Sequence, residues 1–478
     1  MKYTIAGKKL DKYQKKIIRC KNKNLFVLAG AGSGKTFTIV AKVKSLLSDG
    51  LNSSEILCIS FTKKSANSLR SKLESEGLNV EVRTFHSLGF NIVKKFRDVS
   101  INEEILDFII DESIRSNKYL KEIVGVKFVR FGGEDKIFNI LEQNILLNSD
   151  HISRLKIIMK SFINLYKGNN YGIDMFRSFN QYNHENHIYD QRVRHNYFLN
   201  LMKYTIIKYN KQLHRSKKID YNDMINLACN IVCKDCNFKY KYIIIDEYQD
   251  TSFSKSRLIY ELYKKTGCKV MVVGDDWQCI YSFAGSNLDI FNDFKSKYKN
   301  VKVVKLKNTY RLSFELLRVT SGFICKNSYQ IRKNLKSSYS ISNPIIIYYY
   351  KRDINEVLNK VIKEVGDDFL ILGRNNSDCD YLNKYKSRFL TIHKSKGLET
   401  DNTIIIGLDN IPSKVVESDY LCYVKSKTDS YPFAEERRLF YVALTRCRYR
   451  NYILLKKNSS SFVNELIRSY SKYIDERI

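Results

Sequence analysis

Proline and tryptophan are nearly missing from this chain of 478 residues, with 3 and 1 of them. Together with abundant Lys, Asn, Ile and Tyr, that scarcity points to an AT-rich coding sequence and to no particular chemistry. Long apolar runs are also missing. None approaches the roughly 20 residues that cross a bilayer, and Met1 to Leu10 is charged, so neither a membrane span nor a secretory leader is expected. No internal repeat, low-complexity tract or long linker is visible. The 11 Cys lack paired, regular spacing, and a chain this long needs no covalent staples. They read as reduced thiols of a soluble, cytoplasmic protein. The cluster Cys229, Cys233, Cys236 is irregular and has no His beside it, so a helix-to-strand approach explains it better than zinc. Acidic residues are the minority: 50 against 82 Lys and Arg, a net charge of +32. That excess is too large for solvated faces alone and calls for a polyanionic partner, nucleic acid before a membrane surface.

What is present is an alternation. At roughly 150 residues per domain the length suggests about three. Short Val/Ile/Leu-rich runs at Leu25 to Ala29, Ile56 to Ser60, Val80 to Thr84, Tyr242 to Asp246 and Val270 to Gly274 alternate with helical patterns. This predicts an α/β fold with a parallel sheet. Residues 90–218 break the rhythm with a basic, aromatic-rich helical pattern and read as an insertion. A second series runs through Val301 to Leu306, Ile345 to Tyr349, Phe369 to Leu372 and Thr403 to Gly407. It closes with a helix around Glu435 to Thr445, a strand near Tyr452 to Leu455 and a short terminal helix after Ser459. The expected division is 1–89 and 219–285 for a first α/β domain, 90–218 for its insertion, and 286–478 for a second α/β domain.

Gly30-Ala31-Gly32-Ser33-Gly34-Lys35-Thr36 follows an apolar strand that ends at Ala29, and it opens a helix. In that context backbone N–H groups cradle phosphate, Lys35 reaches the β- and γ-phosphates and Thr36 offers its hydroxyl to Mg²⁺. The matching acidic element is the strand Tyr242 to Ile245 followed by Asp246 and Glu247. Its carboxylates emerge at the C-terminal edge of a parallel sheet, where such sheets bind ligands. Asp246 suits Mg²⁺, and Glu247 suits acceptance of a proton from attacking water. A further strand delivers Gln278, placed to orient water or sense the γ-phosphate. ATP and Mg²⁺ are the expected ligands.

These motifs, in this order, resemble those of the UvrD/Rep-like superfamily 1 helicases from Gln14 to Arg446. The resemblance implies two RecA-like domains with ATP between them, and DNA unwinding powered by hydrolysis, 3′ to 5′. It implies that Gln14 reads adenine, Tyr310 stacks on it and Glu399 lies near the ribose, while Arg311 and Arg446 reach the γ-phosphate. Ile59-Ser-Phe-Thr-Lys-Lys-Ser-Ala66, Thr84-Phe-His-Ser87 and Leu390 to Glu399 resemble strand-contacting motifs. They assign Phe61, Thr62, His86 and His393 to DNA, and Phe283 joins them after the third motif. Phe85 shares the expected position just after a strand. Basic grooves with aromatic faces hold single strands without sequence preference.

The chain departs from the family pattern at Phe283-Ala284, where Trp-Arg is usual, and at Thr400, where an aromatic is usual. About 80 residues separate Arg311 from Thr391 and are used by the second sheet, so the family's large second-domain insertion is expected to be reduced or absent. No nuclease module is expected after Arg446. In the first insertion Arg192, Arg194, His195, Lys208, Lys211 and Arg215 fit a backbone-tracking surface and a solvated helical face equally. Expected partners are single-stranded and duplex DNA bound by a monomer, with room for a loading or repair protein. A translocase that strips proteins, or one that acts on RNA, is the alternative.

Overall fold

In the computed structural model, residues 4–5, 7–21, 23–117, 123, 149–234, 237–382, 384–412, 419–425, 429–457 and 459–477 are described. Two six-stranded sheets, each parallel throughout, form the frame. The first runs in the order Val301–Lys305, Asn24–Leu28, Lys269–Gly274, Tyr242–Ile245, Ile56–Ser60, Glu81–Thr84. The second runs Phe389–Thr391, Phe369–Gly373, Thr400–Ile405, Cys447–Leu455, Ile345–Tyr349, Ile474–Arg477. Central strands such as Asn24–Leu28 and Ile56–Ser60 are buried at every position, which is why their sequences are continuous apolar runs rather than alternations. No helix among the described residues is long and apolar enough to cross a membrane.

Each sheet carries cores on both faces. On the first sheet, Leu25 and Val27 pack on one side and Phe26 and Leu28 on the other, the period-2 division of a strand. The second sheet divides in the same way, Ile345 and Ile347 going to one core and Ile346 to the other.

One strand is not where its position in the chain suggests. Val301–Lys305 was expected to begin the second series, yet it pairs along Asn24–Leu28 at the edge of the first sheet. An expected boundary at residue 286 therefore falls short of the first sheet's last strand. Two strands at the edges of the second sheet, Phe389–Thr391 and Ile474–Arg477, carry no periodic signal long enough to read in advance.

The helical pattern of the insertion appears as Glu104–Arg115, Ser149–Gly168, Met175–Asn186 and the 27-residue Tyr189–Arg215. These share a core built on Phe162, Phe176, Phe179, Phe198 and Met202. Lys167 ties the insertion to the first sheet's domain through ion pairs to Asp220 at 2.5 Å and Asp223 at 2.7 Å. His195, expected on a basic face, is 3% exposed and belongs inside, with Nδ1 2.7 Å from the Tyr423 hydroxyl. Lys208 is engaged with Glu112 at 2.5 Å. Of the Cys cluster, Cys236 lies outside the described residues, and Cys229 is buried with its thiol pushed up to about 12.

Candidate active site and strand track

The glycine-rich loop joins the buried strand Asn24–Leu28 to the helix Lys35–Ser48. Ala29 stays in the sheet, donating its N–H to Gly274 O at 2.9 Å. Gly32 and Gly34 have φ of +68° and +79°, the left-handed region where a side chain is strained. A Cβ on Gly32 would also lie 2.3 Å from the Arg311 Cβ, so the loop and the Tyr310–Arg311 segment are in direct contact. No side chain caps the helix that begins at Lys35. Its first-turn N–H groups and positive dipole end therefore face the cleft, the arrangement that receives an anion.

Lys35, Thr36, Glu247, Gln278, Tyr310, Arg311, Glu399 and Arg446 line one cleft of about 760 Å³ with Gly30, Ala31, Gly32, Ser33 and Gly34. Lys8, Lys72 and Arg448 line it too, three cations that motif reading did not single out. The cleft thus takes a loop and a strand end from the first sheet's domain and three arginines, Arg311, Arg446 and Arg448, from segments in or against the second.

Lys35 Nζ donates to Glu247 Oε2 at 2.7 Å. Burial pulls the Lys35 ammonium down, but the charges of Glu247, Asp246 and Asp275 outweigh it and hold it above its ordinary value. Burial, helped by the Glu247 charge, holds the Asp246 carboxyl above the usual carboxylate range. Glu247 goes the other way: burial would raise it, and Lys35 and Lys396 more than reverse that. The two carboxyls are thus driven apart by their surroundings, the condition for giving neighbouring acids different roles. Glu247 also has a φ of +52°, strain of order 1–3 kcal/mol that persists where surroundings fix it. Those surroundings include Gln249, whose Nε2 donates to Glu247 Oε2 at 2.7 Å while its Oε1 accepts from Asp275 N at 2.9 Å.

On the opposite wall, Arg311 donates to Glu399 Oε2 at 3.0 and 2.8 Å and to Thr445 O at 3.2 Å. Glu399 is shared with Arg448, also at 2.5 Å. Arg446 is 1% exposed, and its hydrogen bonds go to neutral oxygens: Val442 O, Leu398 O, Thr445 Oγ1 and, across the cleft, Gln278 Oε1 at 3.3 Å. Burial and the neighbouring Arg311 push its guanidinium down to about 9. Tyr310 is 55% exposed, its ring against Gly34 and its hydroxyl donating to Asp11 Oδ2 at 2.9 Å. Gln14 lies buried behind the same glycine, its amide nitrogen 3.1 Å from where a Gly34 Cβ would stand, and its Oε1 accepts from Asp11 N.

The loop after strand Lys269–Gly274 connects this cleft to a cluster of rings. Asp275 is ion-paired to the fully buried Lys333, and Trp277 sits edge-on to Tyr441 of the second domain. Lys396 donates to Asp250 at 2.7 and 2.8 Å and to Gln278 O at 2.6 Å, clasping the two domains. Beyond Gln278, Tyr281 stacks on Phe61 at 5.6 Å and meets Phe283 and His393 at 5.9 and 6.2 Å. Phe283 is 52% exposed.

Phe61, Phe283 and His393 are therefore brought together, from both domains, around a Tyr281 that motif reading passed over. Thr62 stands on the surface as the N-cap of helix Lys63–Glu74. His86 is apart from the cluster, edge-on to Tyr221 at 5.3 Å. Phe85, expected as a platform beside it, is instead 2% exposed in the core, because a helix and not a loop begins there and turns it inward.

Gln249, Asp250, Lys333 and Lys396 join Tyr281, Lys8, Lys72 and Arg448 as residues that motif reading left without a role. Gln249 and Asp250 lay inside a recognised motif, whereas Lys333 has no local signal.

Known helicases are similar to this chain. DNA helicase IV of Escherichia coli (strain K12) is 28% identical, the match covering 93% of this chain and 68% of that protein; the wording Gly274-Asp-Asp-Trp-Gln278 resembles it. ATP-dependent DNA helicase Rep of Buchnera aphidicola subsp. Acyrthosiphon pisum is 26% identical over 84% of this chain and 63% of its own length. ATP-dependent DNA helicase PcrA of Staphylococcus epidermidis (strain ATCC 12228 / FDA PCI 1200) is 26% identical over 75% and 45%. The chain thus spans about two thirds or less of the length of these relatives. The viral superfamily 1 RNA helicase core domain matches residues 199–454. The UvrD/REP helicase N-terminal domain matches residues 10–299, more than half of the chain, and the chain belongs to that family.

Proposed function

We propose that this protein is an ATP-driven motor that moves along single-stranded DNA, 3′ to 5′, and unwinds duplex DNA as a monomer. The observation that carries the reading is the segment Asp275 to Phe283, which touches the nucleotide cleft at Gln278 and the ring cluster at Phe283. One segment in contact with both ligands' sites lets cleft closure displace a strand.

In this reading the N–H groups of Gly32 to Thr36 and the Lys35 ammonium hold the phosphates, Lys35 leaving its pair with Glu247 to do so. Glu247, released and kept a carboxylate, takes the proton of the attacking water that Gln278 orients. Thr36 and Asp246 offer a hydroxyl and a carboxylate, hard oxygen donors that suit Mg²⁺. Bound there, Mg²⁺ would neutralise phosphate charge. Arg311 and Arg446 stabilise charge on the γ-phosphate, and Tyr310 and Gln14 hold the base. Glu399, now paired to Arg311 and Arg448, is near enough to the same cleft to meet the ribose. Phe61, Thr62, His86, Phe283 and His393 contact the strand. A soluble protein of the cell interior that meets a loading or repair protein fits this activity.

The test is unwinding of duplexes with a 3′ or a 5′ single-stranded tail. Unwinding that requires the 3′ tail supports the reading, and a 5′ requirement or ATPase without unwinding overturns it. A second reading, action on RNA, is favoured by the match to the viral RNA helicase core; the same duplexes made with RNA tails separate the two.

A further inference from the structure

The helical insertion and the second domain meet at a group of ligating side chains that the motor does not use. His187 follows the helix Met175–Asn186, His195 lies in Tyr189–Arg215, and Cys422 lies in the short turn Asp419–Tyr423. Their donor atoms are all within 4.8 Å of one another. The two imidazole centroids are 4.1 Å apart, and His195 is buried among Tyr420, Tyr423 and His187.

The hydrogen bonds around the rings decide which nitrogen is left. Asn183 uses its NH₂ to donate to Arg192 O at 3.0 Å and to Asn196 Oδ1 at 2.8 Å. Its Oδ1 is therefore an acceptor, and His187 Nδ1, 2.9 Å away, is the donor. A neutral imidazole that donates from Nδ1 keeps a lone pair on Nε2. His195 Nδ1 stands 2.7 Å from the Tyr423 hydroxyl, and in the tautomer that donates from Nδ1 to that oxygen the lone pair of this ring is on Nε2 too. A ring N–H held by an outer oxygen while the second nitrogen faces a metal is the usual dress of ligating histidine.

We infer that His187, His195 and Cys422 form a site for a divalent cation of the zinc class, cross-linking the insertion to the second domain. Two imidazoles and one thiolate are a borderline-soft donor set that suits Zn²⁺ over Mg²⁺ or Ca²⁺. Around tetrahedral zinc, with bonds of about 2.0–2.3 Å, donors stand roughly 3.3–3.8 Å apart, so rotation by about an ångström closes the group. The fourth position is left to water. On binding, the Cys422 S–H bond breaks, the proton goes to solvent and the sulfur pair forms the bond to the metal, with no change in oxidation state. The cross-link would reinforce contacts already there: Tyr420 stacks on Phe198 at 4.1 Å, and Asn169 Nδ2 donates to Val424 O at 2.8 Å. It would fix the insertion against the second domain.

The experiment is titration of the metal-stripped full chain with Co²⁺, then Zn²⁺, without nucleotide, read by absorption. One tetrahedral Co²⁺ per chain with a thiolate charge-transfer band, displaced by Zn²⁺, is expected. Cys422→Ser removes the band, and Asn183→Ala, which loosens the tautomer, weakens binding by about 10–100-fold. His187→Gln, at a half-buried position, carries the same expectation should Cys422→Ser fail to fold. No tetrahedral band in the wild type at excess metal would overturn the site and leave two histidine rings in contact, each hydrogen-bonded to its own neighbour. A band that survives Cys422→Ser would overturn it in favour of another thiol.

Discussion

At the scale of single residues, Arg446 is a cation held out of solvent by neutral oxygens and depressed to about 9, which gives an arriving anion a large electrostatic effect. Arg446→Ala and Arg311→Ala are each expected to cut kcat by about 10³–10⁵, while the nucleotide Kd stays close to wild type. Equal loss of nucleotide affinity in an equilibrium titration would assign them to ground-state binding instead. Gly32 is a sharper case. Gly32→Ala meets a left-handed backbone, a cost of about 1–2 kcal/mol, and a Cβ collision with Arg311. It should abolish nucleotide-stimulated DNA work and lower the unfolding midpoint. Unchanged ATPase would show that the loop yields. Gly32 itself was legible in sequence as part of a phosphate loop. Its contact with Arg311, far along the chain, was not.

Among the elements, the Asp275 to Phe283 segment is the one that reaches from the cleft at Gln278 to the ring cluster at Phe283. Phe283→Ala is expected to slow stepping along single strands while the KM for ATP is unchanged, because Phe283 touches Tyr281 and His393 and not the cleft. A collapse of ATP binding with stepping intact would make it a packing residue. His86 and His393, each in a helix that follows a strand, add a pH dependence. Burial pushes His86 and His393 down to about 4, with Lys255 adding to the first and Arg374 and Lys396 to the second. Folded values below unfolded ones mean that the unfolded chain binds more protons, so this stability is present above about 6.5 and is lost as pH falls toward about 4. Asp250, raised to about 6 by burial, works in the opposite sense. The readout is therefore the difference: His86→Gln should lose less stability than wild type across that window in urea melts. Parallel loss in both would show that His86 titrates normally. The elements themselves were largely readable, since buried parallel strands are continuous apolar runs. Phe85 and His86 show the limit, because neighbouring residues after a strand looked alike until the helix turned one inward.

For the whole molecule, a charge of +32 and a ring cluster shared by two domains lead to strand binding that weakens steeply with salt. On single strands the affinity should fall with a logarithmic slope of about −0.7 per neutralised phosphate, and ATP turnover should rise when DNA is present. Turnover indifferent to single-stranded DNA at saturating ATP would separate the two ligands and refute the coupling.

What the sequence determined by itself is whatever depends on neighbours in the chain. The phosphate loop is a strand, a turn and a helix in one run of residues, and Asp246 and Glu247 follow four apolar residues, so their chemistry is written locally. Tertiary structure decided the rest. Val301–Lys305 joined the first sheet as a partly exposed edge strand, because a strand pairs wherever a parallel edge is open, and no local pattern names that edge. Lys333 found Asp275, Lys396 found Asp250, and His195 went inward against Tyr423 for the same reason. A buried charge or polar ring is stable only beside its partner, and partners far apart in sequence are chosen by the packing of whole domains.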